Sequence, residues 1–194
     1  MLLALGAAVP AIVAILFMQA IATRMKTTFD DISITLFGIC YIVGFILYIP
    51  LLYGSEYGNL LVWYIFLAAW GTDTFAYFIG SRYGKHKFTK ISPKKTIEGS
   101  VGGIFGAVTI SLIYTLVINS YTDVYITYWY IGIVSVVLSI LSQIGDLAAS
   151  SIKRYVDAKD FSELLPGHGG ILDRIDSIIF IAPFAYFLLV VVSF

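Results

Sequence analysis

The chain has 194 residues, of which 59% are hydrophobic and 12% charged; twelve basic and twelve acidic side chains leave no net charge. Soluble domains carry about a quarter charged residues, so this composition, with a mean hydropathy of +0.91, excludes an ordinary soluble domain and identifies an integral membrane protein. Zero net charge names no bulk partner and gives no reason to expect nucleic acid; the distribution of the charges carries the information.

About 20 consecutive apolar residues cross a bilayer as a helix, and six runs qualify. They cover about residues 3–22, 32–53, 60–80, 101–119, 126–150 and 175–194. The second closes near Pro50, the third contains Asp73, the fourth opens with Gly102 and Gly103, and the fifth contains Asp146. In lipid every backbone polar group must be satisfied within the segment, so all six are read as helices. The expected fold is all-α: a polytopic transmembrane helix bundle of about six spans, forming a single integral-membrane domain over 1–194. The N-terminal run is too long for a signal-peptide core and has no charged segment before it, so it reads as a span and not as a leader. The lone Cys40 lies in an apolar run, has no cysteine to pair with, and reads as a packing residue.

All twelve basic residues fall in three loops. Arg24 and Lys26 are in the first. Arg82, Lys85, Lys87, Lys90, Lys94 and Lys95 are in the loop over 81–100, and Lys153, Arg154, Lys159 and Arg174 are in that over 151–174. The loops at 54–59 and 120–125 hold none and carry only Glu56 and Asp123. The positive-inside rule therefore places loops one, three and five in the cytoplasm and both termini outside. Tyr and Trp residues at the other ends (Tyr53, Tyr57, Trp63; Tyr121, Tyr125, Tyr128, Trp129) fit an interfacial belt.

The segment 142–177 concentrates the polar chemistry, with six of the acidic and four of the basic residues. Acids within spans usually face a cavity and serve function, which is the favoured reading of Asp73 and Asp146 over a structural carboxylate bonded to a neighbouring helix. Gln143, Asp146, Ser150 and Lys153 or Arg154 are three or four apart and share one helix face. Asp173 and Asp176 open the sixth helix on one face, where an acid also complements the helix dipole. Carboxylates on two helix ends suit Mg²⁺, which takes one or two of them together with phosphates and water. Between these helices, Pro166-Gly167-His168-Gly169-Gly170 can wrap phosphate oxygens with backbone N–H groups or can simply be a tight turn; it matches neither a Walker loop nor a dinucleotide fingerprint. His168 can donate to a phosphate or act as acid or base. Lys153, Arg154, Lys159 and Arg174 can bind substrate or serve as juxtamembrane anchors. The basic loop before the fourth span is at least topogenic, yet its segment Ser92-Pro93-Lys94-Lys95-Thr96-Ile97-Glu98-Gly99-Ser100 can supply ammonium groups and hydroxyls to a polyanion. His86 reads as interfacial.

At these residues the chain closely resembles the phosphatidate cytidylyltransferase (CDP-diacylglycerol synthase) family. The family's signature reads here as Ser151, Lys153-Arg154, Lys159-Asp160, Pro166 to Gly170, Asp173-Arg174 and Asp176, preceded by Ser142-Gln143-x-Gly145-Asp146. Asp73-x-x-Ala76-Tyr77-x-x-Gly80, Gly84-Lys85 and the 92–99 segment also match, with Ile97 where members often have Trp. The resemblance covers about residues 30–194. Members usually carry further helices before the region of the second span, so part of the usual N-terminal membrane region is expected to be missing. The resemblance implies transfer of the cytidylyl group of CTP to phosphatidate, giving CDP-diacylglycerol and pyrophosphate, at the cytoplasmic face of a bacterial plasma membrane. It implies that Asp146 and Asp173 hold Mg²⁺, with a monovalent cation such as K⁺ in some sites. By the same resemblance Lys153, Arg154, Lys159 and Arg174 hold phosphates, and Asp160, His168 and Asp176 join the catalytic group. Asp73, Ser92, Lys94, Lys95, Thr96, Glu98, Ser150, Ser151, Gly167, Gly169 and Gly170 line the substrate site. Family members are commonly homodimers embedded among membrane lipids. Competing readings are a CTP-dependent lipid kinase of the polyprenol type, which would release CDP, an ion-coupled transporter, and an inactive piece that associates with a full-length partner. A transporter predicts acids at the bilayer midplane and an internal repeat; no repeat is evident and the charges gather at one face.

Overall fold

The structure is a computed structural model and describes residues 2–23, 26–89, 92–162 and 170–192, with the side chains of 2–9 left undescribed. Among these residues there are eight α-helices, two π-helical turns and no β-strand. The chain is a polytopic helical membrane protein, in two compact units, Met1–Gly44 and Phe45–Phe194.

The first unit holds α1 (Leu2–Ala22) and α2 (Phe29–Gly38), which runs on into π-helical turns at Ile39–Gly44. The start of α2 is fixed by a capping box: the Asp31 N–H donates to Thr28 Oγ1 (3.2 Å) while the Thr28 N–H donates to Asp31 Oδ2 (2.8 Å). That cap explains why the helix begins before the expected residue 32. Few side chains here are buried, and Cys40 is exposed, contrary to the packing role expected from its apolar surroundings. The run around it is apolar on every side, so its sequence marks no inward face.

The second unit contains the short helices α3 (Tyr48–Tyr53) and α4 (Gly58–Leu61), then α5 (Trp63–Tyr83), α6 (Ile97–Tyr121), α7 (Tyr128–Tyr155) and α8 (Leu172–Tyr186), the last continued by π-helical turns to Val191. Segments Phe29–Tyr53, Ile97–Tyr121, Tyr128–Tyr155 and Leu172–Val191 are long and apolar enough to cross a membrane. The expected spans at 3–22 and 60–80 correspond to α1 and α5. Helix α5 has a span's length, but Asp73, Arg82 and several hydroxyls lower its hydropathy. Helices α6, α7 and α8 all reach further towards the basic loops than the apolar runs do, because polar residues stabilise their ends. Thr96 caps α6 by accepting from Gly99 N–H (3.1 Å), Lys153 and Arg154 lie in the last turn of α7, and Asp173 lies in the first turn of α8.

Helices α5 and α6 make the most extensive contact in the chain. Glycines 99, 102, 103 and 106 form a smooth strip on α6, the small-residue pattern that lets membrane helices approach closely. A Cβ at Gly103 would come within 2.7 Å of the Thr72 carbonyl oxygen of α5. Hydroxyls join the helices as well. Tyr64 Oη lies 2.8 Å from Thr115 Oγ1, and Thr72 Oγ1 lies 2.6 Å from Ser139 Oγ on α7, all four residues being buried. Gly103→Val is therefore expected to destabilise the protein by about 2 kcal/mol through overpacking, read as a lower thermal midpoint in mild detergent. An unchanged midpoint would contradict this packing.

Candidate active site

The site is built where the C-terminal half of α5, the start of α6, the end of α7 and the start of α8 meet. The basic loop between α5 and α6 is not a loose topogenic segment. Phe88 N–H donates to Lys95 O (2.9 Å), Lys95 N–H to Ser92 O (3.0 Å) and Ile97 N–H to His86 O (2.9 Å), folding the loop back on itself around an isolated antiparallel bridge between Lys87 and Thr96. Glu98 accepts from the His86 N–H (3.2 Å), and its Oε1 lies 2.6 Å from His86 Nδ1, which pins the fold to the first turn of α6. Glu98, expected to bind substrate, thus braces the loop and does not line the cavity beside it.

That cavity has a volume of about 330 Å³. Asp73 and Tyr77 of α5 form one wall, Ser92, Lys94, Lys95 and Thr96 of the folded loop a second, and Ser100 of α6 with Gln143 of α7 a third. Ser100 Oγ donates to Gln143 Oε1, and Gln143 Nε2 donates back to Ser100 O (3.3 Å), so the buried amide is held at both ends. Lys95 forms an ion pair with Asp146 of α7. Asp73 lies within electrostatic reach of both groups, and Asp176 of α8 within reach of Asp146, Asp73 and Lys153. Acidic groups on α5, α7 and α8 thus interact electrostatically with one another and with Lys95 and Lys153.

The end of α7 carries the second cluster. The helix closes in a Schellman motif: Ala158 N–H donates to Lys153 O (2.9 Å) and Asp157 N–H to Arg154 O (3.2 Å), with Asp157 in the left-handed region at φ 52°. Arg154 Nη1 adds a bond to Ala158 O (3.3 Å). The turn brings the chain back to α8, where Asp173 gathers it. Asp173 Oδ1 accepts from Lys153 Nζ (2.7 Å), and Oδ2 accepts from the N–H groups of Phe161 (2.9 Å) and Gly170 (3.0 Å). The two charged side chains are 12% and 8% exposed, and the Lys153 ammonium also sits 5.1 Å from the centre of the Phe161 ring. A Cβ at Gly170 would approach Asp173 Oδ2 to 3.0 Å and Ser162 Oγ to 2.5 Å, which accounts for the glycine there.

The sequence-expected residues thus divide. Asp73, Ser92, Lys94, Lys95 and Thr96 line the cavity, and Asp146 and Asp176 lie within electrostatic reach of it. Lys153 and Asp173 pair with each other. Ser151 donates to Leu147 O of its own helix (2.8 Å), so its hydroxyl is engaged away from the cavity. Ser150 is half-buried on α7, while Lys159, Asp160 and Arg174 are exposed on the connection and the first turn of α8. Gly167, His168 and Gly169, expected to cradle phosphate, lie outside the described residues. Ser100, the last residue of the segment marked over 92–100, also lines the cavity, and so does Phe88, which escaped the sequence reading. Ser100 is four residues after the Thr96 cap, hence on the same face of α6. Phe88 sits among lysines and carries no comparable signal.

Among the described residues there is no group of three or more His, Cys, Asp or Glu side chains that could form a ready metal cage. Mg²⁺ does not need one, since it commonly binds one or two carboxylates with substrate phosphates and water. The acidic donors at Asp146 and Asp173 fit that chemistry, each being balanced by a lysine ammonium that a phosphate could draw away.

Comparison with known proteins identifies the family. The model of the "Cytidylyltransferase family" matches residues 3–192. The phosphatidate cytidylyltransferase of Bacillus subtilis (strain 168) is 40% identical over 183 residues, 93% of this chain and 66% of its own length. Those of Staphylococcus haemolyticus (strain JCSC1435) and Staphylococcus aureus (strain COL) are 38% and 39% identical over 91% of the chain, again 66% of their own lengths. The chain therefore spans slightly less than two thirds of these curated relatives. The resemblance drawn from the Lys153-to-Asp176 signature is borne out: with a match over nearly its whole length, the chain belongs to the cytidylyltransferase family.

Proposed function

We propose that the chain, as one integral-membrane domain, transfers the cytidylyl group of CTP to phosphatidate at the cytoplasmic face of a bacterial membrane. The observation that carries this reading is the cavity where Lys94, Lys95, Ser92 and Thr96 meet Asp73, with Asp146 paired to Lys95. It offers cationic and hydroxyl donors to a polyanion directly beside carboxylates. The relatives' name supplies the substrates, and the concentration of basic residues in this loop and in the α7–α8 connection supports its placement on the cytoplasmic side, with the termini outside. The homodimer remains an inference from the family resemblance.

In this reaction a phosphate oxygen of the lipid attacks the α-phosphorus of CTP. The bond from that phosphorus to the oxygen bridging the β-phosphate breaks, and pyrophosphate leaves. The protein's work is positioning and charge neutralisation. Lys94 and Lys95 hold the triphosphate, with Lys95 exchanging Asp146 for a phosphate oxygen. Lys153 and Arg154, at the end of α7, present positive charge to the lipid phosphate. Bound Mg²⁺, held by Asp146 and Asp173, would supply further charge neutralisation on the phosphates, and K⁺ could assist.

The test is a mixed-micelle assay with phosphatidate, Mg²⁺ and CTP labelled on the α-phosphate. Label in the lipid with release of pyrophosphate is the expected result. In a parallel assay with γ-labelled CTP and a polyprenol, label in the lipid with release of CDP would establish the lipid kinase instead, and no transfer to phosphatidate from a folded, monodisperse preparation would overturn the proposal. Lys94 has no carboxylate partner among the described residues, so Lys94→Gln should act mainly on CTP binding. KM for CTP is expected to rise about tenfold for the loss of one charge-assisted contact, with little change in kcat. An unaltered KM would remove Lys94 from the site.

A further inference from the structure

The opposite ends of the same helices hold a second cavity, of about 600 Å³, that the transfer reaction does not use. It lies where α4 meets the end of the α6–α7 connection, the first turn of α7 and the last turns after α8. Its lining is aromatic, acidic and aliphatic: Tyr57, Tyr125, Trp129 and Tyr130 line it together with Asp123, and with aliphatic side chains that include Ile131 and Leu189. None of the twelve Lys and Arg residues lies between 27 and 81, between 96 and 152 or beyond 174, the ranges that contain every lining residue. Asp123 makes no ion pair among the described residues.

The cavity is held by polar contacts that a merely greasy belt does not need. The Asn119 side chain clamps the connection that carries Asp123, donating from Nδ2 to Ile126 O (2.8 Å) and accepting Ile126 N–H at Oδ1 (2.8 Å). Tyr130 Oη donates to Leu188 O, tying the start of α7 to the end of the chain, and the Trp129 and Tyr130 rings meet edge to face at 6.1 Å. Tyr57 occupies the left-handed region at φ 58°.

Aromatic rings and a carboxylate lining one cavity, in a setting without competing ammonium groups, are the chemistry that recognises an organic cation. The aliphatic lining and the position at the end of apolar spans add a requirement for a hydrocarbon body. We propose that this cavity binds the ammonium headgroup of a zwitterionic amine phospholipid, on the membrane face opposite the candidate active site. Asp123 pairs with the ammonium, the Tyr and Trp rings cover it, and the first carbons of the acyl chains lie against Ile131 and Leu189. The lipid's phosphate stays at the mouth, near the unbonded N–H groups of the first turn of α7.

The test uses the full chain in mild detergent, titrated with dihexanoyl phosphatidylethanolamine and with the same lipid N-acetylated to remove the ammonium charge. Emission from Trp129 reports binding, and Trp129→Phe identifies its share of the signal. A saturable change is expected with the amine lipid, with at least about fivefold weaker binding for the acetylated lipid and for Asp123→Asn, the size of one cation–carboxylate or cation–π contact. Asp123→Asn should leave cytidylyl transfer unchanged. Equal binding of the two lipids, or no saturable binding, would overturn the proposal and return these aromatics to an interfacial belt. The lipid comparison on the unaltered chain decides this even if the variant folds poorly.

Discussion

Asp146→Asn is expected to lower cytidylyl transfer by about a thousandfold, the scale seen when a preorganised electrostatic group is removed from a reaction centre, while thermal stability changes little. The carboxylate is half-buried on α7, pairs with Lys95 from the folded loop, and lies within electrostatic reach of Asp73 and Asp176. Asparagine keeps its shape and an oxygen for Lys95, so the loop should stay docked; the negative charge is lost. If Asp146 only anchors Lys95, Asp146→Asn should keep most of the activity, and adding it to Lys95→Met should cost nothing further. If Asp146 also acts on the phosphates, the double variant should fall well below Lys95→Met alone, because each residue has its own contact with substrate. Measuring kcat and KM for CTP across the four proteins decides between them. Retention of more than about a tenth of the activity by Asp146→Asn would exclude the acid from the charge-balancing role asked of it.

Parts of this arrangement are legible in the chain before any coordinates. Apolar runs mark the helices because lipid leaves the backbone no alternative. Spacing of three and four residues puts Gln143, Asp146 and Lys153 along one side of α7, and each meets a partner from another helix or loop: Ser100, Lys95 and Asp173. Other parts are not legible. Helix ends run past the apolar runs because caps such as Thr96 satisfy the terminal backbone with polar atoms, which hydropathy counts against a span. Glu98 looks like a substrate acid from its position after two lysines; its actual partner, His86, is twelve residues back and reachable only because the loop folds over the Lys87–Thr96 bridge. Cys40 shows the same limit in reverse. In a segment apolar on every side, burial depends on which neighbours arrive, and the periodic signal that would reveal an inward face is missing.

Asp173 carries two roles that the second large effect separates. The sequence marks it as a metal ligand beside Asp146; the structure shows it accepting three hydrogen bonds, from Lys153 and from the backbone of Phe161 and Gly170, so that it closes the α7–α8 connection at both ends. Asp173→Leu leaves the Lys153 ammonium buried without a counter-charge and two N–H groups without their acceptor. A loss of about 3 kcal/mol is expected, the lower end for breaking a buried pair on one side only, read as a large drop in thermal midpoint in detergent, with activity lost as well. Lys153→Met combined with Asp173→Leu removes both charges and fills the space with apolar atoms, so most of that stability should return. Activity should not return, because the lysine proposed to meet the lipid phosphate and the acid proposed to hold Mg²⁺ are then both gone. A double variant that regains activity along with stability would make Asp173 a brace only and leave Asp146 as the sole acid of the proposed metal pair. A double variant as unstable as Asp173→Leu would instead assign the loss to the unsatisfied N–H groups of Phe161 and Gly170, and with it the folding of the connection to Asp173's backbone contacts and not to its ion pair.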